Sequence, residues 1–311
     1  MNWRIKAILQ KFLAASKLGD TLNHLPVTFN KKYHQNVFLY QTQECLRKFG
    51  YCDVDIRRGI ALEIGTGYAI MSAIVLSLLG FEKVITVDIT KDLRFSTFKK
   101  QIVYIDTPSF LDSILTKSIY SEVEVKNKIS FIKETKSLNE LFDFLNIKYI
   151  APYNFDDIEK QSLCFDYISS QVVLEHIMPE ILDMLFEKTK EWLAKHGFCV
   201  HTINFIDHFA NPGFFQDASI SEFNFLRFSD KQWLFWAGNP IAYTNRLGYI
   251  YYLELCEKWK LEVVDFVGEN YRERVGLDQN LIHSDVIKKY DTAFNLNELT
   301  KFQRGTLIIK D

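Results

Sequence analysis

The amino-acid sequence predicts an α/β fold with a mainly parallel sheet and helices on both faces. The apolar segment 59–65, "GIALEIG", is typical of a buried strand. After a short loop, 69–80 forms a helical pattern that ends at Gly80, as a helix cap would. A second apolar strand over 83–89, "KVITVDI", completes a strand–helix–strand unit.

The rest of the chain continues this alternation. In chain order we expect a helix over 36–49, a strand over 129–134, a short helix over 137–146, a strand over 164–173, a helix over 179–197 that begins at Pro179 and ends at Gly197, a strand over 198–205, a helix over 249–259, and strands over 261–267 and 305–310.

The 311 residues and the 48% hydrophobic content favour one α/β domain with additions. We divide the chain into an N-terminal helical segment, 1–58, and an α/β core, 59–205. An aromatic-rich cap, 206–244, interrupts the alternation, and 245–311 completes the core.

Composition excludes several functional classes. The net charge is −2, and Lys and Arg are dispersed, which argues against nucleic-acid binding. The five cysteines are scattered and odd in number, and they favour neither a disulfide framework nor a zinc site. A reducing cytoplasm fits this pattern, and no apolar run reaches the ~20 residues of a membrane span.

The first residues predict an amphipathic helix. Apolar residues fall near one face, and basic residues lie elsewhere on the helix. Two interpretations follow: the helix docks on its own domain, or it contacts a membrane surface or a second copy of the chain.

The loop "EIGTG" lies at the carboxyl end of the first strand, where open α/β sheets bind ligands. Gly65 and Gly67 permit a tight turn and a close approach of a ligand. The nicotinamide-dinucleotide pattern fits poorly, because Ile70 stands where that pattern needs Gly or Ala. The carboxylate of Glu63 would also repel a pyrophosphate, by roughly 4 kcal/mol at 4 Å and an effective dielectric near 20.

A ligand with positive charge reverses the sign of that interaction. S-adenosylmethionine carries a sulfonium and an ammonium group. Asp88, at the end of the second strand, could accept hydrogen bonds from both hydroxyls of its ribose. These residues therefore favour S-adenosylmethionine as the cofactor.

The same residues resemble the first two motifs of class I S-adenosylmethionine-dependent methyltransferases. "FDYISSQVVLEHI" resembles their fourth strand, and "LAKHGFCVHTI" their passage into the fifth, so the resemblance covers about 59–268. It implies a Rossmann-like, doubly wound sheet of seven strands. It also implies cofactor contacts from Glu63, Gly65, Thr66, Gly67, Asp88, Ile89, Ala151 and Ser170. The Asp that usually precedes the position of Ala151 is missing, so no side chain is assigned to the adenine.

Transfer of a methyl group to a hydroxyl requires removal of its proton. Just beyond the fifth strand lie Asp207 and His208, and we predict His208 as the general base, oriented by Asp207 or another carboxylate. His176, next to Glu175 after the fourth strand, is the second candidate. As an alternative, Asp207 and His208 could bind a divalent metal, although the sequence assigns no metal site.

The cap carries many aromatic residues, which suit the apolar faces of sugars or ordinary core packing. We predict that Trp236, Tyr243, Asn245 and Arg246 bind the acceptor. Together with the Asp-His pair, this segment loosely resembles bacterial methyltransferases of polysaccharide and sugar biosynthesis. The sequence thus favours O-methylation of a sugar, a sugar nucleotide or a surface-polysaccharide precursor. The alternatives are a phosphorylated or lipid-like small acceptor, or a non-catalytic partner that binds S-adenosylmethionine.

Overall fold

A computed structural model describes residues 1–15, 31–52, 56–159, 164–210, 216–239, 242–290 and 295–311. Seven strands form one sheet in the order β3-β2-β1-β4-β5-β7-β6. They are β1 Ile60–Ile64, β2 Lys83–Val87, β3 Ile147–Ile150, β4 Phe165–Gln171, β5 Leu193–Asn204, β6 Glu262–Glu269 and β7 Arg304–Lys310.

Helices occupy most of the remaining described chain. They are α1 Trp3–Ala14, α2 Lys31–Phe49, α3 Met71–Leu79, α4 Phe95–Gln101, α5 Pro108–Leu115, α6 Glu122–Glu134, α7 Leu138–Leu145, α8 Asp156–Glu159, α9 Pro179–Trp192, α10 Asp230–Ala237, α11 Tyr249–Lys258 and α12 Ser284–Ile287. Short 3₁₀ turns cover Ile102–Tyr104, Leu174–His176, Asn224–Arg227, Gln279–Leu281 and Leu296–Thr300. None of the described helices is both long enough and apolar enough to cross a membrane.

The chain forms two compact units. The first, here called the loop unit, comprises Val27–Gln171, Glu191–His201 and Ile308–Asp311. The second, here called the histidine unit, comprises Met1–Pro26, Val172–Lys190 and Thr202–Leu307. The division of the sequence into 1–58, 59–205, 206–244 and 245–311 stays a prediction.

In the loop unit, β1 lies between β2 and β4 and pairs with both in parallel. Leu62 stands opposite Ile85 on one side and Ile168 on the other. Because β1 connects through α3 to β2, while β4 flanks it on the other side, the strand order reverses at β1. The loop after β1 therefore lies at a topological switch point, the usual ligand position in such sheets.

The expectation of a mainly parallel sheet is confirmed only in part. Phe205 N donates to Gln303 O, and Asp311 N donates to Gly197 O. Residue numbers rise along β5 as they fall along β7 in these pairs, so β7 runs antiparallel to β5. The architecture is thus mixed α/β.

The strand expected over 129–134 is wrong, because this segment ends helix α6. Ser121 begins the helix: its side chain accepts from Glu124 N, and the Glu124 side chain accepts from Ser121 N. Val125, Ile129 and Ile132 are buried at helical spacing. The apolar residues at 129, 131 and 132 fit either a strand or a helix over so short a segment, and the capping box upstream favours the helix.

The predicted helix over 179–197 ends earlier, at Trp192, because the chain is already in β5 at Leu193. Helix α2 starts at Lys31, before the predicted Asn36. Helix α3 and its left-handed cap at Gly80 are confirmed, as are the helix over 137–146 and the strands that became β1, β2, β4, β6 and β7.

The histidine unit has its own apolar core, which includes much of the predicted cap. Phe223, Phe225 and Trp233 are buried there with Trp3 and Ala7 of α1. Helix α1 therefore docks on its own unit, as one of the two interpretations expected. Its outer face stays apolar and exposed at Ile5, Ile8, Leu9 and Phe12, so contact with a membrane surface stays a prediction.

Candidate functional site

The loop after β1 is held against the end of β2 by main-chain hydrogen bonds. The N–H groups of Gly65 and Thr66 both donate to Val87 O, at 2.8 and 3.2 Å. Gly67 has a φ of +59°, which favours glycine. A Cβ added at Gly67 would meet nothing within 4 Å. The outer side of this loop therefore has room for a ligand.

Asp88 joins this loop to β2. Its Oδ2 accepts from Gly67 N at 2.7 Å, and its Oδ1 accepts from Thr90 N at 3.0 Å. The residue is half-buried, and the next residue, Ile89, is 78% exposed. The Thr90 hydroxyl also lies 3.3 Å from Oδ1. Oδ2 keeps a second lone pair, so Asp88 has acceptor capacity for a hydroxyl group of a ligand.

Ala151 follows β3 beside the same strand end. Asp88 N donates to Ile150 O and Tyr153 N donates to Asp88 O, so the main chain of Asp88 brackets the turn at Ala151. The Ala151–Pro152 peptide bond is cis. The predicted cofactor residues Gly65, Thr66, Gly67, Asp88 and Ala151 thus come together at one end of β1, β2 and β3.

Glu63 lies beneath this loop, in the interior. Only 2% of it is exposed, and it accepts a hydrogen bond from the Ser169 hydroxyl. The fully buried ammonium of Lys48, from the C-terminal end of α2, lies 3.9 Å from Glu63 Oε1 and donates to Ser170 O at 3.0 Å. Lys48 therefore neutralises Glu63 within the protein.

The ion pair with Lys48 removes the predicted repulsion between Glu63 and a pyrophosphate. Because the charge of Glu63 already has a counter-ion, repulsion of a pyrophosphate no longer distinguishes a cationic from an anionic ligand. The choice of ligand then rests on Ile70, which is buried at the start of α3. Glu63 as a cofactor contact stays a prediction.

Ser170 and Thr66 also use their hydroxyls internally. Thr66 Oγ1 lies 2.6 Å from Thr86 Oγ1, and Ser170 Oγ lies 2.8 Å from His201 Nδ1. On its other side, His201 Nε2 lies 3.0 Å from Cys199 Sγ. Burial, aided by Lys48, lowers the pKa of His201 to about 3, so this imidazole is neutral in the folded protein at neutral pH.

The neutral His201 makes folding sensitive to acid. The unfolded chain takes up a proton at His201 near pH 6.5, whereas the folded chain resists it until about pH 3. The free energy of unfolding should therefore fall as the pH falls through this window, by about 1.4 kcal/mol per pH unit for this group. In urea titrations between pH 6 and pH 4, His201→Gln should lose stability less steeply than the parent.

The control is His196→Asn, which removes an exposed imidazole. It should follow the parent, because this side chain is exposed to solvent in the folded chain. Parallel curves for the parent and His201→Gln would contradict the assignment.

A second cluster lies in the histidine unit, where the 3₁₀ turn after β4 meets the segment after β5. Glu175, His176 and His208 place one potential ligand atom each within 4.8 Å of the others. The rings of His176 and His208 are 4.9 Å apart between centroids. The structure thus brings together two predicted catalytic residues and Glu175.

Asp207 does not join them. Its carboxylate is fully buried, accepts from Phe209 N at 2.8 Å and from Asn224 Nδ2 at 3.3 Å, and burial raises its pKa to about 6. The neighbour of the His208 ring is Asn204, whose Nδ2 lies 3.2 Å from Nε2. The predicted pairing of Asp207 with His208 has no direct contact in support, because adjacent residues face opposite ways here.

His208 is a weak base in this setting. Burial, followed by the neighbouring His176 and Lys6, lowers its pKa to about 3. An efficient general base has a pKa near the working pH, so the ring as placed accepts a hydroxyl proton poorly. His208 as the base stays a prediction, and the geometry favours a role shared with its neighbours.

Glu175 stands out among the buried polar groups. It is 3% exposed, and neither carboxylate oxygen has a hydrogen-bond partner among the described residues. Burial raises its pKa to about 8, an effect that the nearby N–H groups of Glu175 and Asn204 partly offset. Burial of a charged carboxylate without a donor or a cation costs free energy of folding. A ligand that supplies a donor or a positive charge would offset this cost.

The predicted acceptor residues mostly support this cluster. Asn245 Nδ2 donates to Leu174 O at 2.8 Å and to Ile177 O at 2.9 Å, and Asn245 N donates to Glu175 O at 2.8 Å. It thereby clamps both ends of the turn that carries Glu175 and His176. Tyr243 contributes its carbonyl, 2.8 Å from His176 Nδ1.

Arg246 is buried, and its guanidinium group contacts other residues of the histidine unit. One guanidinium nitrogen donates to Phe225 O and Phe228 O, at 3.0 and 2.5 Å, and the other pairs with Asp230. Trp236 packs edge-on against Trp3, with the ring centroids 5.3 Å apart. The binding of an acceptor by these two residues and by Asn245 stays a prediction, while their contacts hold the core together.

Loss of the Asn245 amide should destabilise the protein. Asn245→Ala leaves two buried carbonyl groups without their donor, at about 1–3 kcal/mol for each unsatisfied group. Chemical denaturation should show a drop of roughly 2 kcal/mol or more in the free energy of unfolding. Asn280→Ala is the matched control, because this exposed amide donates to Asp278 within its own turn. An equally small effect in both variants would contradict the clamp.

No protein-family model matches the chain, and no curated protein sequence matches it. Its structural neighbours include S-adenosylmethionine-dependent methyltransferases. One is a putative sarcosine dimethylglycine methyltransferase from Galdieria sulphuraria, with 13% identity over 88% of this chain and 85% of that one and a TM-score of 0.44. Another, from Archaeoglobus fulgidus, has 13% identity over 94% and 99% of the two chains and a TM-score of 0.43.

A third neighbour is phosphoethanolamine N-methyltransferase 2 from Haemonchus contortus in complex with S-adenosyl-L-methionine. It has 16% identity over 94% of this chain and 59% of that one, with a TM-score of 0.43. What these proteins bind or modify is a property of each of them, and nothing about the acceptor of this chain follows from their names.

Proposed function

We propose that this chain is a methyltransferase that uses S-adenosylmethionine and acts on a hydroxyl group of a small molecule or glycan. The observation that carries the proposal is the bridge between Asp88 and the glycine loop at the switch point of the sheet. It puts a carboxylate with spare acceptor capacity beside an open loop, an arrangement that suits the two ribose hydroxyls of an adenosine cofactor.

Two features favour S-adenosylmethionine over a dinucleotide. Ile70 occupies the position at which the dinucleotide pattern needs Gly or Ala to let the helix approach the strand. The four motifs that resemble class I methyltransferases also stand in the order of that family along the chain. The cofactor contacts proposed from that resemblance are Glu63, Gly65, Thr66, Gly67, Asp88, Ile89, Ala151 and Ser170.

For the acceptor, we propose activation of its hydroxyl through the pair His176 and His208. A sugar, a sugar nucleotide or a surface-polysaccharide precursor is the acceptor class that the sequence resemblance favours. Within the predicted cap, Phe223, Phe225 and Trp233 belong to the core and are not available to such an acceptor. Tyr243 is half-buried and Phe235 is 61% exposed, so these rings remain open to contact.

The cofactor site can be tested by binding alone. Asp88→Ala should weaken the binding of S-adenosylhomocysteine in calorimetry by at least about tenfold, which corresponds to about 1.4 kcal/mol. Asp143→Ala, which removes an exposed carboxylate from the same unit, should bind like the parent. Undiminished affinity in Asp88→Ala would remove the ribose assignment, and tighter binding of a nicotinamide dinucleotide than of S-adenosylhomocysteine would remove the proposed activity.

The catalytic assignment requires turnover with a panel of sugars, sugar nucleotides and other hydroxylated metabolites. His208→Ala should lower kcat by roughly 10²-fold, the contribution typical of a group that assists proton removal. Affinity for S-adenosylhomocysteine should stay unchanged. His283→Gln serves as the control, because His283 contacts its own helix start at Asp285. Near-normal turnover in both His208→Ala and His176→Ala would exclude the pair from catalysis.

Binding of S-adenosylhomocysteine without turnover of any acceptor would instead favour a regulatory partner that binds the cofactor. One observation favours that second function, namely the exposed apolar face of α1 at Ile5, Ile8, Leu9 and Phe12. Such a face suits a contact with another macromolecule.

A further inference from the structure

We infer that Glu175, His176 and His208 form a binding site for a divalent first-row transition-metal ion, for which Zn²⁺ is the test ion. The three side chains supply two imidazole nitrogens and one carboxylate oxygen, with the potential ligand atoms within 4.8 Å of one another. This donor set is one that Zn²⁺ and its neighbours in the row accept. The sequence alone assigned no metal here, because the residues are separated by 32 positions between His176 and His208.

The carboxylate of Glu175 gives the independent reason. It is 3% exposed, and neither of its oxygens makes a hydrogen bond of normal geometry with a described residue, although the N–H groups of Glu175 and Asn204 are near. Buried polar atoms nearly always have a partner, and an orphan among them points to an ion or water that completes the site. A dication within reach of this carboxylate would supply both a ligand bond and the compensating charge.

The ring of His176 is oriented as a ligand requires. Its Nδ1 lies 2.8 Å from the carbonyl of Tyr243. Because a carbonyl only accepts, Nδ1 carries the hydrogen, and Nε2 of the neutral ring keeps its lone pair. A hydrogen bond from the other ring nitrogen to a carbonyl is the usual support for a metal-binding histidine.

The backbone that carries the ligands is fixed. Asn245 bonds the carbonyls of Leu174, Glu175 and Ile177, so the turn is held on each side of the two ligands. Asn204 Nδ2 lies 3.2 Å from His208 Nε2 and donates to it in the metal-free protein, so a metal ion bound at Nε2 would replace this hydrogen bond. The residue predicted as an alternative metal ligand, Asp207, is committed to Phe209 N and Asn224.

Binding requires a contraction of the cluster. In the tetrahedral geometry of zinc, ligand atoms at about 2.0–2.2 Å from the ion are about 3.3–3.6 Å apart, so pairs near the present limit of 4.8 Å must approach by about 1 Å. The exposed His176 side chain has the freedom to close this gap. Three protein ligands would leave at least one coordination position for water or for an acceptor hydroxyl.

This inference does not depend on methyl transfer, because metal binding is measured without an acceptor. It specifies how the histidine pair acts if the proposed function holds: His208 is then a ligand, and the hydroxyl is activated at the metal. Failure of the two proposals can be told apart, because the cofactor is bound by the loop unit and is assayed with S-adenosylhomocysteine.

The experiment is equilibrium dialysis of the full chain against Zn²⁺ after treatment with a chelator, with the bound metal counted by mass spectrometry. A Cys164→Ser background removes the exposed thiol. The parent should bind one equivalent, and Glu175→Gln and His208→Gln should each lower the affinity by at least about tenfold. Co²⁺ bound to the parent should show visible absorption bands that shift or vanish in His176→Gln.

Glu180→Gln and His283→Gln are the controls, one carboxylate and one imidazole outside the cluster, and both should bind metal like the parent. Thermal unfolding of the metal-free protein checks that each variant folds. If the buried Glu175→Gln variant does not fold, the test rests on His176→Gln, because His176 is exposed. Absence of binding by the parent would overturn the inference. So would binding by a folded His176→Gln or Glu175→Gln variant with unchanged affinity, because the metal would then bind elsewhere.

Discussion

The ion pair between Lys48 and Glu63 is the contact on which the loop unit depends most. Glu63 ends up in the interior because β1 is buried on both faces, as a central parallel strand must be. A carboxylate in that position requires a cation and a hydroxyl, which Lys48 and Ser169 provide. Removal of one partner would leave an uncompensated buried charge, at a cost of about 3–5 kcal/mol. The end of α2 is thereby tied to β1 and β4, and the strand end that carries the glycine loop is fixed.

Glu175 is a buried carboxylate of the histidine unit, as Glu63 is of the loop unit, but the two differ in their surroundings. Glu63 lies within the buried strand β1 and Glu175 follows the buried strand β4, and both side chains are almost fully inaccessible. Glu63 has a lysine at 3.9 Å, whereas Glu175 has no ion pair with any described residue and instead faces two imidazoles. Folding alone gives no reason to bury such a group, because glutamine would fit the same space without the charge. The metal ion that we propose would supply the cation that the described residues do not supply.

The sequence predicted the parts of the molecule that depend on local pattern. The strands β1, β2 and β4 and the helix that ends at Gly80 follow from apolar runs and a cap residue. The strand predicted over 129–134 is wrong because a six-residue window with three apolar residues fits a helix as well, and the cap at Ser121 favours the helix. The antiparallel course of β7 could not be predicted, because strand direction depends on the path of the chain rather than on the composition of the strand.

In the candidate sites, too, some contacts could be predicted from the sequence and others depend on how distant segments pack. Gly67 and Asp88 could be predicted to meet, since both follow parallel strands that end at one edge of the sheet. The partner of Glu63 could not, because Lys48 reads as an exposed helical lysine until the helix is placed against the sheet. Adjacency in sequence misled the prediction for Asp207, whose carboxylate points inward while His208 faces His176.

The segment from Tyr243 to Arg246 shows why polar residues near a candidate site need their contacts counted before a role is assigned. Asn245 and Arg246 have the chemistry of substrate-binding side chains, yet their donors go to main-chain carbonyls and to Asp230. A buried donor that already has its acceptors cannot bind a ligand without leaving those acceptors unsatisfied. Substrate contacts should therefore be sought among groups with spare capacity. Two examples among the described residues are Asp88, whose Oδ2 has a further lone pair, and Glu175, with two unpartnered oxygens.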